Sequence, residues 1–167
     1  MKYAECPTIE VSTDVAAPTS SVWALICDIE LSSRFSTEVS GAEWLDGVDG
    51  PAIGARFVGH SAHDAIGEWT TTCTVTGFEP GRLFEWSVTG RDGDVSSIWR
   101  YTIDDGGHDA TQLSYWFQMG PGRGGLNYAI ESMPDKEERI VARRLNEHRL
   151  NMERVLAGVK ALAEATS

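Results

Sequence analysis

The segment PDKEERIVARRLNEHRLNMERVLAGVKAL, from Pro134 to Leu162, has the spacing of one long amphipathic helix. Its apolar residues recur at steps of three and four, and His148 stands where the same face would carry another apolar side chain. Since residues 40–119 are predicted to form strands, the helix buries this face against a sheet, and we expect His148 to point into the space between them. The apolar positions of the face are Val141, Leu145, Met152, Val155, Val159 and Leu162.

Length, charge and cysteine usage narrow the class of protein. The 167 residues predict a single domain over residues 1–167, and the net charge of −11 excludes nucleic acid and anionic membranes as partners. The chain has no apolar run long enough for a membrane span and no signal pattern at its amino terminus, so we expect a soluble, cytoplasmic protein. An odd number of cysteines, Cys6, Cys27 and Cys73, without metal-like spacing fits a reducing compartment.

Alternation and turn signals predict the remaining elements. Thr8 to Val15 alternates as a strand, and the capping signal at residues 19–21 begins a helix that a short helical turn follows at residues 31–36. Five turn signals divide residues 40–119 into six strands whose links are too short for crossover helices. Residues 120–133, which contain GPGRGG, are the one long loop and a predicted mobile lid. The fold class is α+β: a seven-stranded antiparallel curved sheet around a long C-terminal helix, with two short helices after the first strand.

Strand parity assigns a partly polar set of side chains to the inner face of the sheet. Its aromatic residues are interrupted by the hydroxyls of Thr71, Ser97, Tyr101 and Tyr115. Because a buried polar group without a partner costs about 1–3 kcal/mol, we predict an internal cavity that holds water or ligand. A packed core is the alternative, since tyrosine often buries its ring and sends its hydroxyl to the rim. The predicted ligand-binding residues are Phe57, Trp69, Thr71, Cys73, Phe84, Trp86, Trp99, Phe117 and Met152.

Three segments resemble one known group of proteins. VAAPTSSVWALICDIE (residues 15–30), EWTTTCTVTGFEPGRLFEWSV (residues 68–88) and RLNMERVLAGVKAL (residues 149–162) are similar to the polyketide cyclase/dehydrase and lipid-transport (SRPBCC) branch of the START-like, or Bet v 1-like, superfamily. The resemblance covers nearly the whole chain and implies a helix-grip fold with an apolar cavity between the sheet and the long helix. It is carried by several loose motifs, so it indicates the fold more strongly than the activity.

The aromatase/cyclases of that branch have a tryptophan, a hydroxyl and an arginine at alternate positions of the fourth strand. Trp69 and Thr71 match the first two, whereas Cys73 stands at the arginine position. A tyrosine that those enzymes carry after the second helix is replaced here by Glu38 or Val39. These departures put the aromatase/cyclase type of chemistry in doubt, while the cavity is still expected.

His148 is the predicted proton-transfer residue. An aldol closure needs a base that removes a proton next to a carbonyl, which an imidazole can supply, and a donor for the enolate oxygen, which Tyr101 or Tyr115 can supply. The alternative is a core histidine that is hydrogen bonded to a strand carbonyl or hydroxyl. The motif His60-Ser-Ala-His63 suggests a metal site, but residues three apart on a strand point to opposite faces, so we predict no metal from it.

Two function classes follow from these residues. The first is a protein that binds a small hydrophobic, polyketide-like or aromatic molecule and catalyses its cyclisation or dehydration without a cofactor. The second is a carrier or sensor of lipids or other small hydrophobic molecules, in which His148 and the tyrosines only anchor the polar end of the ligand. The oligomeric state, monomer or homodimer, is left open.

Overall fold

A seven-stranded antiparallel sheet and one long helix form the body of the protein, as the sequence predicts. The computed structural model describes residues 1–166, and the strand order in the sheet is β1-β7-β6-β5-β4-β3-β2. None of the described helices is long and apolar enough to cross a bilayer. The strands are β1 Thr8–Val15, β2 Val39–Trp44, β3 Arg56–His63, β4 Gly67–Glu79, β5 Leu83–Thr89, β6 Val95–Asp105 and β7 Thr111–Met119; the helices are α1 Thr19–Ile26, α2 Leu126–Ser132 and α3 Glu137–Ala165, with 3₁₀ turns at Tyr3–Glu5, Leu31–Arg34 and Pro134–Lys136.

Helix α3 buries the predicted apolar stripe. Val141, Met152, Val155 and Val159 are each at most 2% exposed, and the helix packs mainly along β1 and against α1. The inner faces of β6 and β7 complete this core with alternating residues, as the period-2 pattern requires. The apolar periodicity therefore predicts correctly which face of α3 meets the sheet.

Helix α3 also approaches the 3₁₀ turn at Leu31–Arg34 closely. A Cβ atom on Gly158 would lie 2.5 Å from the ring of Phe35, so only glycine lets the two elements meet at this distance.

We expect Gly158→Ala to destabilise the protein although alanine is the better helix former. In a free helix the change would gain about 1 kcal/mol, whereas overpacking costs about 1–3 kcal/mol. In a Phe35→Ala background the same change should become stabilising, because the ring that it strikes is gone. Chemical denaturation of the four proteins of this cycle measures the sign, and a stabilising Gly158→Ala in the wild-type background would contradict the close approach.

The segment from Gly120 to Met133 is not the single long loop that we predict from the sequence. Its second half is helix α2, because Leu126 and Ile130 pack one turn apart against the core. Its first half is tied to the sheet, since the amides of Gly120 and Gly122 donate to the carbonyls of Ser96 and Val95, both at 2.7 Å. The Tyr3 hydroxyl also donates to the Gly122 carbonyl at 2.7 Å. These bonds hold the glycine-rich segment against β6.

Candidate functional site

An aromatic layer fills most of the space between the sheet and α3. Trp86 stands at its centre, with ring centroids 5.2 Å from Phe84, 5.8 Å from Tyr101 and 6.1 Å from Phe57. Trp99 continues the layer toward α3 and lies 4.4 Å from Phe117. Such tilted and edge-to-face contacts are the favoured geometries of aromatic pairs. The rings that we predict to line an open cavity therefore pack largely against one another.

A small cavity remains at the end of this layer that lies next to α1. Its volume is about 30 Å³, enough for about one or two water molecules and far below the roughly 300–1,000 Å³ of sites that hold organic ligands. The predicted cavity is therefore present in a much smaller form, because the aromatic contacts occupy its place. The lining residues are Ile26, Asp28, Ile29, Ser32, Phe57, Phe84, Trp86 and Tyr101.

Half of this lining was not predicted from the sequence. Phe57, Phe84, Trp86 and Tyr101 are predicted residues that the structure brings together. The other wall comes from the end of α1 and the 3₁₀ turn after it, and it adds two polar groups, the Asp28 carboxylate and the Ser32 hydroxyl. The sequence of that segment has helical spacing, but the periodicity of a short helix does not show which residues of the sheet the helix will contact.

Tyr101, which lines the cavity, lies side by side with Tyr115. Their rings stack with centroids 4.1 Å apart. Burial raises the pKa of Tyr101 to about 12, although hydrogen bonding with Tyr115 and Ser32 partly opposes that rise. Burial also raises the pKa of Tyr115 well above its ordinary value. Both phenols are therefore protonated at neutral pH, and Tyr101 can donate a hydrogen bond to an oxygen atom of a ligand in the cavity.

His148 lies on the other side of the aromatic layer. Its ring is 4.6 Å from that of Phe117 and 5.2 Å from that of Trp99, measured between centroids. No hydrogen bond joins the His148 side chain to another residue within residues 1–166, so the alternative of a bond to a strand carbonyl or hydroxyl is not realised in this structure. His148 faces the interior as predicted, but it does not line the cavity that Tyr101 lines.

Burial, with a smaller contribution from the charge of Arg144, lowers the pKa of His148 well below its ordinary value. The imidazole is therefore neutral at pH 7, and the same burial makes it a weaker base than an exposed histidine.

We expect this burial to make the protein less stable in mild acid. Below about pH 6.5 the unfolded chain protonates this histidine while the folded chain does not, so stability falls by up to about 1.4 kcal/mol per pH unit. The His148→Gln variant should lose this part of the pH dependence of the free energy of unfolding between pH 6.5 and 5. His108→Gln is the control, because the His108 side chain is 98% exposed. Equal slopes in the wild type and His148→Gln would show that His148 is not kept neutral.

The remaining predicted ligand-binding residues do not line the cavity. Cys73 is buried with Ala42 and Phe57, and burial raises the pKa of its thiol to about 12, so it is not a nucleophile at neutral pH. The Thr71 hydroxyl is 3.9 Å from that thiol. Met152 is 1% exposed in the main core, and Trp69 is half-buried on β4 opposite Ser61.

A polar cluster that the sequence did not predict joins α3 to the edge of the sheet. Arg144 donates to both carboxylate oxygens of Glu38, at 2.7 and 2.8 Å, and to Glu147 at 2.8 Å. The His63 Nε2 atom lies 3.3 Å from a carboxylate oxygen of Glu147. His60, in contrast, pairs with Glu43 at 3.0 Å. The two histidines therefore have separate partners, in agreement with the opposite faces that strand geometry predicts.

The sequence matches a described family over almost its whole length. Residues 7–164 fit the profile of the family described as Polyketide cyclase / dehydrase and lipid transport. Comparison with curated proteins gave no significant match.

Solved structures share the fold over nearly the whole chain. A Polyketide_cyc-like protein from Corynebacterium glutamicum is 29% identical, with a TM-score of 0.65 over 95% of this chain and 92% of that one. The Zhui aromatase/cyclase from Streptomyces sp. R1128 is 16% identical, with a TM-score of 0.67 over 95% and 93%. A START superfamily protein from Mycobacterium smegmatis is 13% identical, with a TM-score of 0.62 over 96% and 99%. The last two likenesses concern the fold alone.

Proposed function

Because the chain belongs to the polyketide cyclase/dehydrase and lipid-transport family, we propose that it binds a small hydrophobic molecule, polyketide-like or aromatic, between its sheet and its helices. The observation that carries the proposal is the composition of the cavity. Three aromatic rings, Phe57, Phe84 and Trp86, meet the hydroxyls of Tyr101 and Ser32 in one small space. A mainly apolar lining with a few converging polar groups is typical of sites for organic ligands.

Binding requires the cavity to widen, because about 30 Å³ does not admit an aromatic ring system. The wall formed by residues 26–32 is the part that we expect to move. It belongs to a short helix and a 3₁₀ turn outside the sheet ladder, whereas the opposite wall consists of paired strands. Asp28 lines this wall and is exposed to solvent, so the wall lies at the protein surface.

Catalysis of cyclisation or dehydration is the second candidate function. It is favoured by one juxtaposition, since the protonated Tyr101 hydroxyl and the Asp28 carboxylate line the same cavity. Tyr101 would donate to a carbonyl oxygen while a base removes the neighbouring proton. Asp28 is one candidate for this base, and the neutral His148 is the other. His148 reaches the substrate only if the aromatic layer opens between Trp99 and Phe117.

A carrier or sensor uses the same cavity without chemistry. In that case Tyr101 and Ser32 only anchor the polar end of the ligand. The three free cysteines fit the proposed cytoplasmic location. The proposal applies to the whole chain as one domain.

Quenching of tryptophan fluorescence tests the site directly, because Trp86 lines it. The ligands to titrate are a hydroxylated tricyclic aromatic ketone and a medium-chain fatty acid. Ser32→Val should weaken binding about tenfold by filling the cavity, and Ser33→Val is the matched control because Ser33 is not part of the lining. Equal affinity in the two variants, or no binding of either ligand by the wild type, would contradict the proposal. Tyr101→Phe then separates the two functions: it should weaken binding in either case, because its hydroxyl anchors the ligand, and only an enzyme should also lose turnover of the ligand that is still bound.

A further inference from the structure

Three side chains with metal-ligating atoms meet where α3 crosses the end of β3. Glu38 directly precedes β2, His63 ends β3 and Glu147 lies on α3, and their ligand atoms all lie within 4.8 Å of one another. We propose that this cluster, here called the Glu38/His63/Glu147 site, binds a divalent cation of the Zn²⁺ type. None of its residues lines the cavity, so the site is independent of the proposed ligand site.

The backbone holds the three ligands in place. The Glu38 carbonyl accepts a hydrogen bond from the Ala62 amide at 2.9 Å, which fixes the start of β2 beside the end of β3. His63 is the last residue of β3, and Glu147 lies on α3 opposite it. The side chains of Glu38, His63 and Glu147 are 12%, 23% and 28% exposed, so the cluster is partly buried but accessible to water.

The donor set suits zinc better than magnesium or calcium. One imidazole nitrogen and two carboxylate oxygens are ligands that Zn²⁺ accepts in a tetrahedral arrangement, with a water molecule as the fourth ligand. Magnesium and calcium prefer sites made of oxygen atoms alone. The pair of His60 and Glu43 on the other face offers only two such groups, and both side chains are more exposed, at 40% and 68%.

Arg144 supplies the positive charge that the two carboxylates share in this structure. Its guanidinium donates to Glu38 and to Glu147 at 2.7–2.8 Å, so it uses the same oxygen atoms that a metal would use. The positive charges of the guanidinium and of a divalent cation repel each other at these oxygens, so binding of the metal favours an arginine side chain that turns away. The guanidinium of Arg144 and a divalent cation therefore compete for the carboxylates of Glu38 and Glu147.

Calorimetric titration of chelator-treated protein with zinc chloride tests the site. We expect one equivalent of Zn²⁺ to bind to the wild type and His63→Ala to weaken binding about tenfold or more. His60→Ala is the matched control and should leave the affinity unchanged. Arg144→Met should tighten binding about tenfold or more, because it removes the competing charge. Circular dichroism of each variant verifies the fold before titration.

Three results would overturn the site. The first is that neither the wild type nor Arg144→Met binds zinc saturably. The second is that His63→Ala and His60→Ala lose the same amount of affinity, and the third is that Arg144→Met binds zinc no more tightly than the wild type. A rise in thermal midpoint with added zinc in the wild type, and its absence in His63→Ala, is the independent readout. This readout does not depend on the hydrophobic ligand, so its failure leaves the proposed function untouched.

Discussion

Replacement of Phe84 by alanine should lower the free energy of unfolding by about 3–5 kcal/mol, the range for a deleted core phenylalanine. Phe84 is 1% exposed, and its ring lies 5.2 Å from that of Trp86 and 6.4 Å from that of Phe78. Its removal deletes contacts on both sides and leaves an unfilled space, because paired strands on either side of β5 limit relaxation. Denaturant unfolding monitored by circular dichroism measures the loss.

Tyr128→Ala is the control for this substitution, because it removes an aromatic ring that is 53% exposed. It should change stability by less than about 1 kcal/mol. Phe84→Ala also joins new space to the existing cavity, so the surviving folded fraction should bind a benzene-sized apolar ligand more tightly than the wild type does. A cost below about 1 kcal/mol for Phe84→Ala would show that the aromatic layer is loosely packed.

Arg144→Met should cost about 3 kcal/mol, because it leaves the Glu38 carboxylate without its partner in a largely buried position. The side chains of Arg144 and Glu38 are 13% and 12% exposed, and two hydrogen bonds join them. The double variant Glu38→Gln/Arg144→Met should recover most of the loss, since it removes the uncompensated charge together with its partner. Thermal and urea unfolding of Arg144→Met, Glu38→Gln and the double variant, compared with the wild type, give the coupling energy.

The surface pair of Arg82 and Glu79 is the matched comparison. Its side chains are 67% and 54% exposed, although the distance of 2.8 Å is as short as those in the buried cluster. Arg82→Met should therefore change stability by less than about 1 kcal/mol. If Arg144→Met is equally mild, the ion pair of Arg144 and Glu38 adds little to the stability of the fold.

The departure from the aromatase/cyclase pattern has a clear structural counterpart. Where those enzymes carry an arginine on the fourth strand, Cys73 lies in a small apolar cluster with Ala42 and Phe57. Burial raises the pKa of that thiol to about 12, so the position carries no charge at neutral pH. Arg144 lies on α3 and is held by Glu38, which stands near the position of the missing tyrosine.

The architecture was predictable because it depends on local signals. The period-2 alternation of β4 to β7, the glycine-containing turns and the apolar stripe of α3 each act over a few residues, and all three predictions are confirmed. The one misassigned segment, residues 120–133, contains a helix too short for periodicity to stand out among glycines. Its helix depends on Leu126 and Ile130 packing against a core that is distant in sequence.

The chemistry of the interior was decided by tertiary packing. Strand parity could place Trp86, Trp99 and Phe117 inside, but only the three-dimensional arrangement shows that their rings close most of the space that the sequence predicts as a cavity. The meeting of Asp28 with Tyr101 also depends on how the turn after α1 docks on the sheet. Packing volume is a sum over side chains that approach from several elements, so no single segment carries it.

His148 illustrates both what the sequence determines and what the tertiary structure decides. Its place in the helical stripe of α3 determined that it faces the sheet, since periodicity alone sets which residues share a face. Its neutral charge, its ring contacts with Trp99 and Phe117, and its separation from the cavity were decided by the strands that cover it. The physical reason is that direction along an element is a local property, whereas desolvation and proximity arise only when distant segments meet.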